Sequence, residues 1–266
     1  MSHLLCRRQA PDDSGRTQHI TPASAGWRYV GFDCYHLEAG RTLVRNSEDR
    51  ELCLVLVGGR ASVRAGARAW DGIGDRSGPF EGKAPYAVYV PPGCDYTVTA
   101  DTDLELAVCS APASGRFPPR LIHPQDCERS ERGSGSNRRL ICNILFGNGD
   151  AESLLVVEVI TPNGNWSSYP PHKHDTDDAP RETHLEETYY HRLSPPQGFA
   201  FQRVYTDDRS LDETMAVEDG DVVMVPRGYH PVGAPHGYDL YYLNVMAGPK
   251  REWIFHNDPA HAWMLE

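Results

Sequence analysis

Apolar residues along the chain fall mostly in short alternating runs, and the three-to-four spacing of an amphipathic helix is nearly absent. In the first half the runs are "WRYVGFDCYHL", "ELCLVLVGGRASVRAG", "YAVYVPPGCDYTVTA" and "LELAVCSAP". The second half repeats the scheme with "RLICNILFG", "SLLVVEVITP", "ETYYHRL", "GFAFQRVYTDD", "ETMAVEDGDVVMVPRGYHPV" and "YDLYYLNVMAG". Gly, Pro, Asp and Asn punctuate both sets, which predicts an all-β protein of short strands. Gly58 and Gly59 sit between apolar alternations and read as a hairpin turn. "VPPGCD" reads as a strand end followed by a Pro-Gly turn.

The order of events in one half matches the other. "YAVYVPPGCDYTV" parallels "DVVMVPRGYHPV": an apolar strand, Pro, one residue, Gly, then a new strand. This predicts an internal duplication of a small antiparallel β-barrel. The expected division is a first barrel over residues 1–112, a linker over 113–139, and a second barrel with an aromatic tail over 140–266. The linker is rich in Pro, Gly, Ser and charge, and is expected to wrap across a surface. Trp253, Phe255 and Trp263 are too many aromatics for a free end, so the tail is expected to dock and shape the pocket.

Composition narrows the class. At 266 residues with 39% hydrophobic and 24% charged side chains, the chain suits a soluble globular protein. A net charge of −11 argues against nucleic acid or an anionic membrane as partner, leaving a small molecule and a homo-oligomer as the expected ones. The N-terminal stretch lacks the apolar segment of a secretory signal, and no apolar run approaches a membrane span. Seven cysteines without a CxxC pair read as reduced, mostly buried thiols, consistent with a cytoplasmic protein.

The two halves differ in chemistry. His172 and His174 form an H-x-H pair that has no counterpart in the first half, and "VPRGYH" supplies His230 where the first half has Cys94 and Asp95. Residues i and i+2 of a strand share a face, so both imidazoles can point into a barrel mouth. Glu187 in "ETYY" lies on a neighbouring strand, with Glu182 and Glu186 as rival carboxylates. Three imidazoles and a carboxylate suit Zn, Mn, Fe, Ni or Co, with positions open for substrate. The first half is expected to carry no metal set. If Glu187 faces inward, so do Tyr189 and His191; Tyr242 and Asn244 share one face of the last strand. Arg203, Arg227 and Lys173 are the cations nearest these motifs, Arg203 being the best bidentate partner for an acidic substrate. Lys173 reads as a rim charge, and "DTDDAPRETHLEE" as a solvated loop or a lid. His184 and His236 are weaker candidates.

The pattern H-x-H, then E, then G-D-x-x-x-x-P-x-G-x-H resembles the two cupin motifs, and its duplicated setting resembles a bicupin. "TPNGNWSSYPPHKHD", "LEETYYHRLSPPQGFAFQRVYT", "VPRGYHPVGAPHGYDLYYLNVMAGP", "REWIFHNDPAHAWML" and, nearer the middle, "ERSERGSGSNRRLICNIL" resemble the 5-deoxy-glucuronate isomerases of inositol catabolism. That resemblance implies two tandem cupin-type barrels and a divalent metal, Zn first, held by His172, His174, Glu187 and His230. It also implies an aldose–ketose isomerisation of 5-deoxy-glucuronate to 5-keto-2-deoxy-gluconate. Twelve residues separate His174 from Glu187, where many cupins have three or four, so Glu182 and Glu186 stay as rivals. Glu186 and His191 are candidates for the catalytic base; Arg203, Tyr189, Tyr242 and Lys173 for substrate contacts. The same ligand set would also serve a metal dioxygenase, or a cupin that binds sugar without turning it over.

Overall fold

The computed structural model describes residues 2–147 and 151–265. Strands dominate, and the one α-helix among these residues is the single turn Pro22–Ala25. No described helix is long and apolar enough to cross a membrane. The chain divides into two compact units. The first is Gln9–Glu128 with Cys142–Val157; the second is Met1–Arg8, Arg129–Ile141 and Glu158–Glu266.

These units are not the contiguous halves expected from boundaries at 112 and 139. The start of the chain belongs to the second unit because Leu5–Cys6 pairs with Val222–Val225 and the buried carboxylate of Asp221 accepts from Arg7 Nη1 (2.6 Å) and Arg8 N (3.1 Å). The expected linker is itself structured. It contains the strands Arg120–Ile122 and Glu128–Arg132, the latter closing one edge of a sheet. Residues Cys142–Val157 pack within the first unit, where Glu51 gathers them. The Glu51 side chain, fully buried, accepts from the backbone N–H groups of Glu152, Ser153 and Leu154 and from the Tyr89 hydroxyl at 2.6–2.9 Å. A buried carboxylate is tolerable only when saturated with donors in this way.

In the first unit the strand Arg50–Ala65 is the spine. Its first part pairs with Ala87–Val90 and Leu104–Pro112; its second part pairs with Arg68–Arg76 and Asp95–Ala100. One continuous strand therefore serves both faces of the sandwich. The bend falls at Gly58 and Gly59, where the register shifts between Leu56 and Gly58 and again between Gly59 and Ala61. These glycines are thus a bulge within one strand and not the hairpin turn expected. The backbone leaves no room for a side chain: a Cβ on Gly58 would lie 2.4 Å from Ser77 O, and one on Gly59, at φ +100°, 2.2 Å from Asp103 O. Only glycine allows such approach. The enclosed core is apolar, with Leu52, Leu54, Leu56, Val88, Leu106 and Val108 at its centre.

Most of the second unit lies in a seven-stranded sheet and a four-stranded one, although residues 142–145 and 155–157 of the longer sheet count with the first unit. The seven-stranded order is Leu5–Cys6, Val222–Val225, Glu186–Ser194, Asp239–Ala247, Leu155–Thr161, Arg139–Leu145, Glu128–Arg132. The four-stranded order is Trp166–Ser167, Val232–Gly233, Phe199–Tyr205, Asp212–Glu218. The bend that Gly58 and Gly59 make in the first unit falls here at "PPQG", between Glu186–Ser194 and Phe199–Tyr205. Both units are two-sheet β-sandwiches of cupin type, with strand pairing that leaves the sheets open at their edges. All seven cysteines are free, and five of them lie in strands, as small hydrophobes would.

Candidate metal centre

The strand Glu186–Ser194 carries the centre of the site. Its pleat turns Glu187, Tyr189 and His191 to one face, all three nearly inaccessible to solvent. Glu187 Oε2 lies 3.1 Å from His174 Nε2 and 3.2 Å from His230 Nε2. The ligating nitrogens of His172, His174 and His230 all lie within 4.8 Å of one another. Three histidines from two segments are therefore gathered in one place, with the Glu187 carboxylate against two of them.

Local sequence explains how each arrives. His172 is in the short strand His172–Lys173, which pairs with His256–Asn257 from the tail. His174 is fixed by two bonds with Leu185: its carbonyl accepts from Leu185 N at 2.8 Å, and its Nδ1 meets Leu185 O at 3.1 Å. That contact closes the long loop and delivers Glu187 two residues later. His230 follows Gly228, whose φ of +91° and proximity to Tyr205 O (2.4 Å from an added Cβ) exclude any other residue. The Nδ1 of His230 lies 2.8 Å from Gly228 O. A ring nitrogen facing a carbonyl carries the proton, so in both residues Nε2 is the atom left for the site. Asp175 ties the two segments together, accepting from Gly228 N at 2.8 Å.

Electrostatics suit a cation. Burial, then the neighbouring imidazoles, then Arg139 and Arg132 hold His172 well below the ordinary histidine pKa. Burial lowers His230 to about 4, against the pull of Glu187. Burial is the largest single effect on His174 and lowers it, but the hydrogen bond and charge of Glu187 together with the backbone contact at Leu185 prevail and raise it. Metal ligands must be neutral imidazoles, so an ion would compete with that proton. His230 Nε2 is buried with no hydrogen-bond partner. A polar atom orphaned in this way fits a metal, and the three-nitrogen, one-oxygen set matches divalent transition metals.

Around the cluster, Tyr189 donates to or accepts from Ser168 Oγ at 2.9 Å, and Tyr242 hydrogen-bonds Ser167. Burial raises both phenols, Tyr242 to about 12, so both stay protonated. His191 Nε2 meets Gln202 Oε1 at 2.9 Å, while its buried Nδ1 has no partner. Burial lowers His191 to about 4, leaving the ring neutral. The tail docks as expected: Phe255 and Trp253 stand 4.8 and 6.1 Å from the His172 ring, centroid to centroid. Trp263, 67% exposed, takes no part.

Several expected contacts lie elsewhere. Gln202 is buried and points inward, so the pleat turns Arg203 outward, where it forms a bidentate pair with Asp212 at 2.7 Å. Lys173 is buried rather than a rim charge, its Nζ bound to Asp175 (2.7 Å) and Glu182 (3.0 Å). Glu182 also accepts from the N–H groups of Asp175 and Thr176, which uses it as the hub of its own loop and removes it as a ligand. Glu186 falls on the opposite face of its strand from Glu187. Arg227 and His236 are exposed, and His184 has no described contact with the cluster. In the first unit, where no metal set was expected, the ligand atoms of Cys34, His36 and Glu105 lie within 4.8 Å of one another, on paired strands whose other face supplies the core.

Two residues escaped the reading of the sequence. Arg139 and Arg132 flank "GSGSNR" in what looked like a linker. Arg139 Nη1 donates to Asn137 O (3.0 Å) and Tyr169 O (3.4 Å), three residues before His172. Arg132 lies over the Trp253 ring at 5.5 Å. The signal was their place in "ERSERGSGSNRRLICNIL", which matched the family without any role attached.

The fold is of cupin type, and the His-Glu cluster is a group of ligand atoms that could hold a metal ion. The chain belongs to the KduI/IolB family, whose model matches residues 4–264. It is 55% identical over 266 residues to the 5-deoxy-glucuronate isomerase of Geobacillus kaustophilus, covering 100% of this chain and 96% of that protein. With the enzyme of the same name from Bacillus subtilis strain 168 the identity is 47% over 270 residues, covering 100% of each. The crystal structure of an IolB-like protein from Salmonella typhimurium superposes with a TM-score of 0.96 at 56% identity over 99% of each chain. An oxalate decarboxylase from Lactobacillus farciminis shares the fold at TM-score 0.68 and 14% identity, covering 97% of this chain and 89% of its own.

Proposed function

We propose that the chain is a metal-dependent isomerase that converts 5-deoxy-glucuronate to 5-keto-2-deoxy-gluconate in cytoplasmic inositol catabolism. The observation that carries this reading is the convergence of His172, His174, Glu187 and His230, in a chain about half identical over its whole length to proteins named 5-deoxy-glucuronate isomerase. Those four residues would hold a divalent ion, Zn first among the choices because the isomerisation needs no redox change. When bound, the ion would act as a Lewis acid toward negative charge on the substrate's carbonyl and adjacent oxygen.

The remaining work falls to side chains. An aldose becomes a ketose when a proton leaves C2 and one is added at C1, while the C2 hydroxyl proton passes to O1. His191 is the candidate for the C2 proton: with Nε2–H directed at Gln202 Oε1, its Nδ1 keeps a lone pair and no protein partner. The protonated Tyr189 and Tyr242 hydroxyls can donate to substrate oxygens. The docked Trp253 and Phe255 rings limit water at the mouth.

The test is anaerobic incubation of purified protein with 5-deoxy-glucuronate, followed by proton NMR. Conversion to the keto acid without oxygen, lost in His172→Ala, supports the isomerase and excludes oxygenase chemistry. Absence of conversion in metal-replete protein removes the named substrate.

A further inference from the structure

We propose that Arg139, with Arg132 beside it, is the subsite for the carboxylate end of the substrate. This rests on the isomerase reading above and adds to it the residues that select an acid over a neutral sugar. Three observations place the subsite. Arg139 is half-buried, and Arg132 caps the Trp253 ring that stands against His172. Among the described residues the Arg139 guanidinium hydrogen-bonds the carbonyls of Asn137 and Tyr169 through Nη1, with no bond from Nε or Nη2. Among the described residues neither arginine forms an ion pair. A partly desolvated guanidinium without a counter-ion is unusual, and the unit's other part-buried cations near the site contrast with it: Arg203 pairs with Asp212, Lys173 with Asp175 and Glu182, and Arg192 with Asp219.

Direction supports the assignment as well. The tether to Tyr169 O holds Arg139 on the segment that leads into His172, and its charge is felt by Tyr189 and Tyr242 as well as by His172. The metal set, the two phenols and the two arginines are therefore neighbours in turn: Arg139 is tethered beside His172, and Arg132 lies on the Trp253 ring that stands against it. A small molecule with a polar carbonyl end and an acidic end matches that sequence of groups, the acid lying on the arginines as a bidentate partner.

The experiment compares 5-deoxy-glucuronate with its neutral carboxamide, in the wild-type holoenzyme and in Arg139→Met, Arg139→Lys and Arg132→Met. The wild type is expected to prefer the acid by about 30-fold in kcat/KM, the size of one or two charged hydrogen bonds. In Arg139→Met that ratio falls toward one, through KM of the acid rather than kcat. Arg139→Lys keeps part of it, and the exposed Arg132→Met lowers it by a few-fold without a risk to folding. A ratio unchanged in Arg139→Lys and Arg132→Met, or a wild type that turns over acid and amide equally, overturns the subsite. A wild type that converts neither compound overturns the isomerase reading instead.

Discussion

Rung for rung, the two units place opposite chemistry on the same strand. Leu52 faces Val90 on one side and Ser110 on the other; Glu187 faces Val225 and Met246, with Val90 and Val225 each followed by Pro-x-Gly. Two residues on, Leu54 pairs with Val108 and Tyr189 with Asn244; two further, Leu56 pairs with Leu106 and His191 with Tyr242. The first unit thus fills with Leu and Val the space that the second lines with Glu, Tyr, His and Asn. A buried leucine contributes roughly 1.5–3 kcal/mol by leaving water. The polar lining gives that up and must find partners, as His191 does in Gln202 and Tyr189 in Ser168. One copy fills these positions with apolar side chains and the other with polar ones, on a shared backbone plan.

The comparison breaks most sharply at Glu187→Leu, which writes the first unit's residue into the second. The fold should survive, because Leu52 shows the backbone accepts it. Turnover should fall by about 10³-fold or more, the scale of losing metal-assisted charge stabilisation. Circular dichroism with steady-state assays on one sample checks both parts; near-normal turnover would show that Glu187 is dispensable.

The converse change is Leu54→Ala in the first unit. It should cost about 2–5 kcal/mol of stability through the cavity left behind, with activity per folded molecule unchanged. Urea unfolding beside kcat gives the result. A loss of kcat without a loss of stability would mean the first unit has a part in the chemistry.

The smallest effect concerns pH. Glu152 sits in the segment that Glu51 gathers into the first unit. Burial raises its carboxyl, but hydrogen bonds from Ser114, Arg116 and Gly115 prevail and bring it from 4.5 to about 2. A depressed folded-state pKa stabilises above about pH 4.5, and the gain is lost as pH falls toward 2. Wild type should therefore exceed Glu152→Gln in stability near pH 6, with the gap closing below pH 4.5. A gap that stays constant down to pH 2 would assign the effect to something other than this carboxylate.

Much of this plan was legible beforehand. The alternating runs became strands nearly as written, since a half-buried pleat demands period two. The H-x-H pair, "ETYY" and "VPRGYH" supplied the cluster, because a Pro-x-Gly turn with one obligatory glycine fixes where the next histidine points. Three failures have physical causes. Gly58 and Gly59 signal close approach as readily as a turn, and only the facing carbonyls tell which. Arg203 and Lys173 were near the motifs in sequence, but the pleat turned the first outward and a local carboxylate hub captured the second. Arg139 and Arg132 were hidden in a segment whose composition suggests a linker, since its strand pairing comes from distant residues. The exchange of Met1–Arg8 and Cys142–Val157 between units rests on Asp221 and Glu51, which alternation alone cannot reveal.

The most direct measurement is the metal content of the purified full-length protein and of His230→Ala, by elemental analysis after equal exposure to divalent ions. The account predicts one tightly held equivalent per chain in the wild type and almost none in the variant. No metal in the wild type, or an equivalent retained in His230→Ala, for instance on Cys34, His36 and Glu105, would contradict the assignment of the chemistry to the second unit.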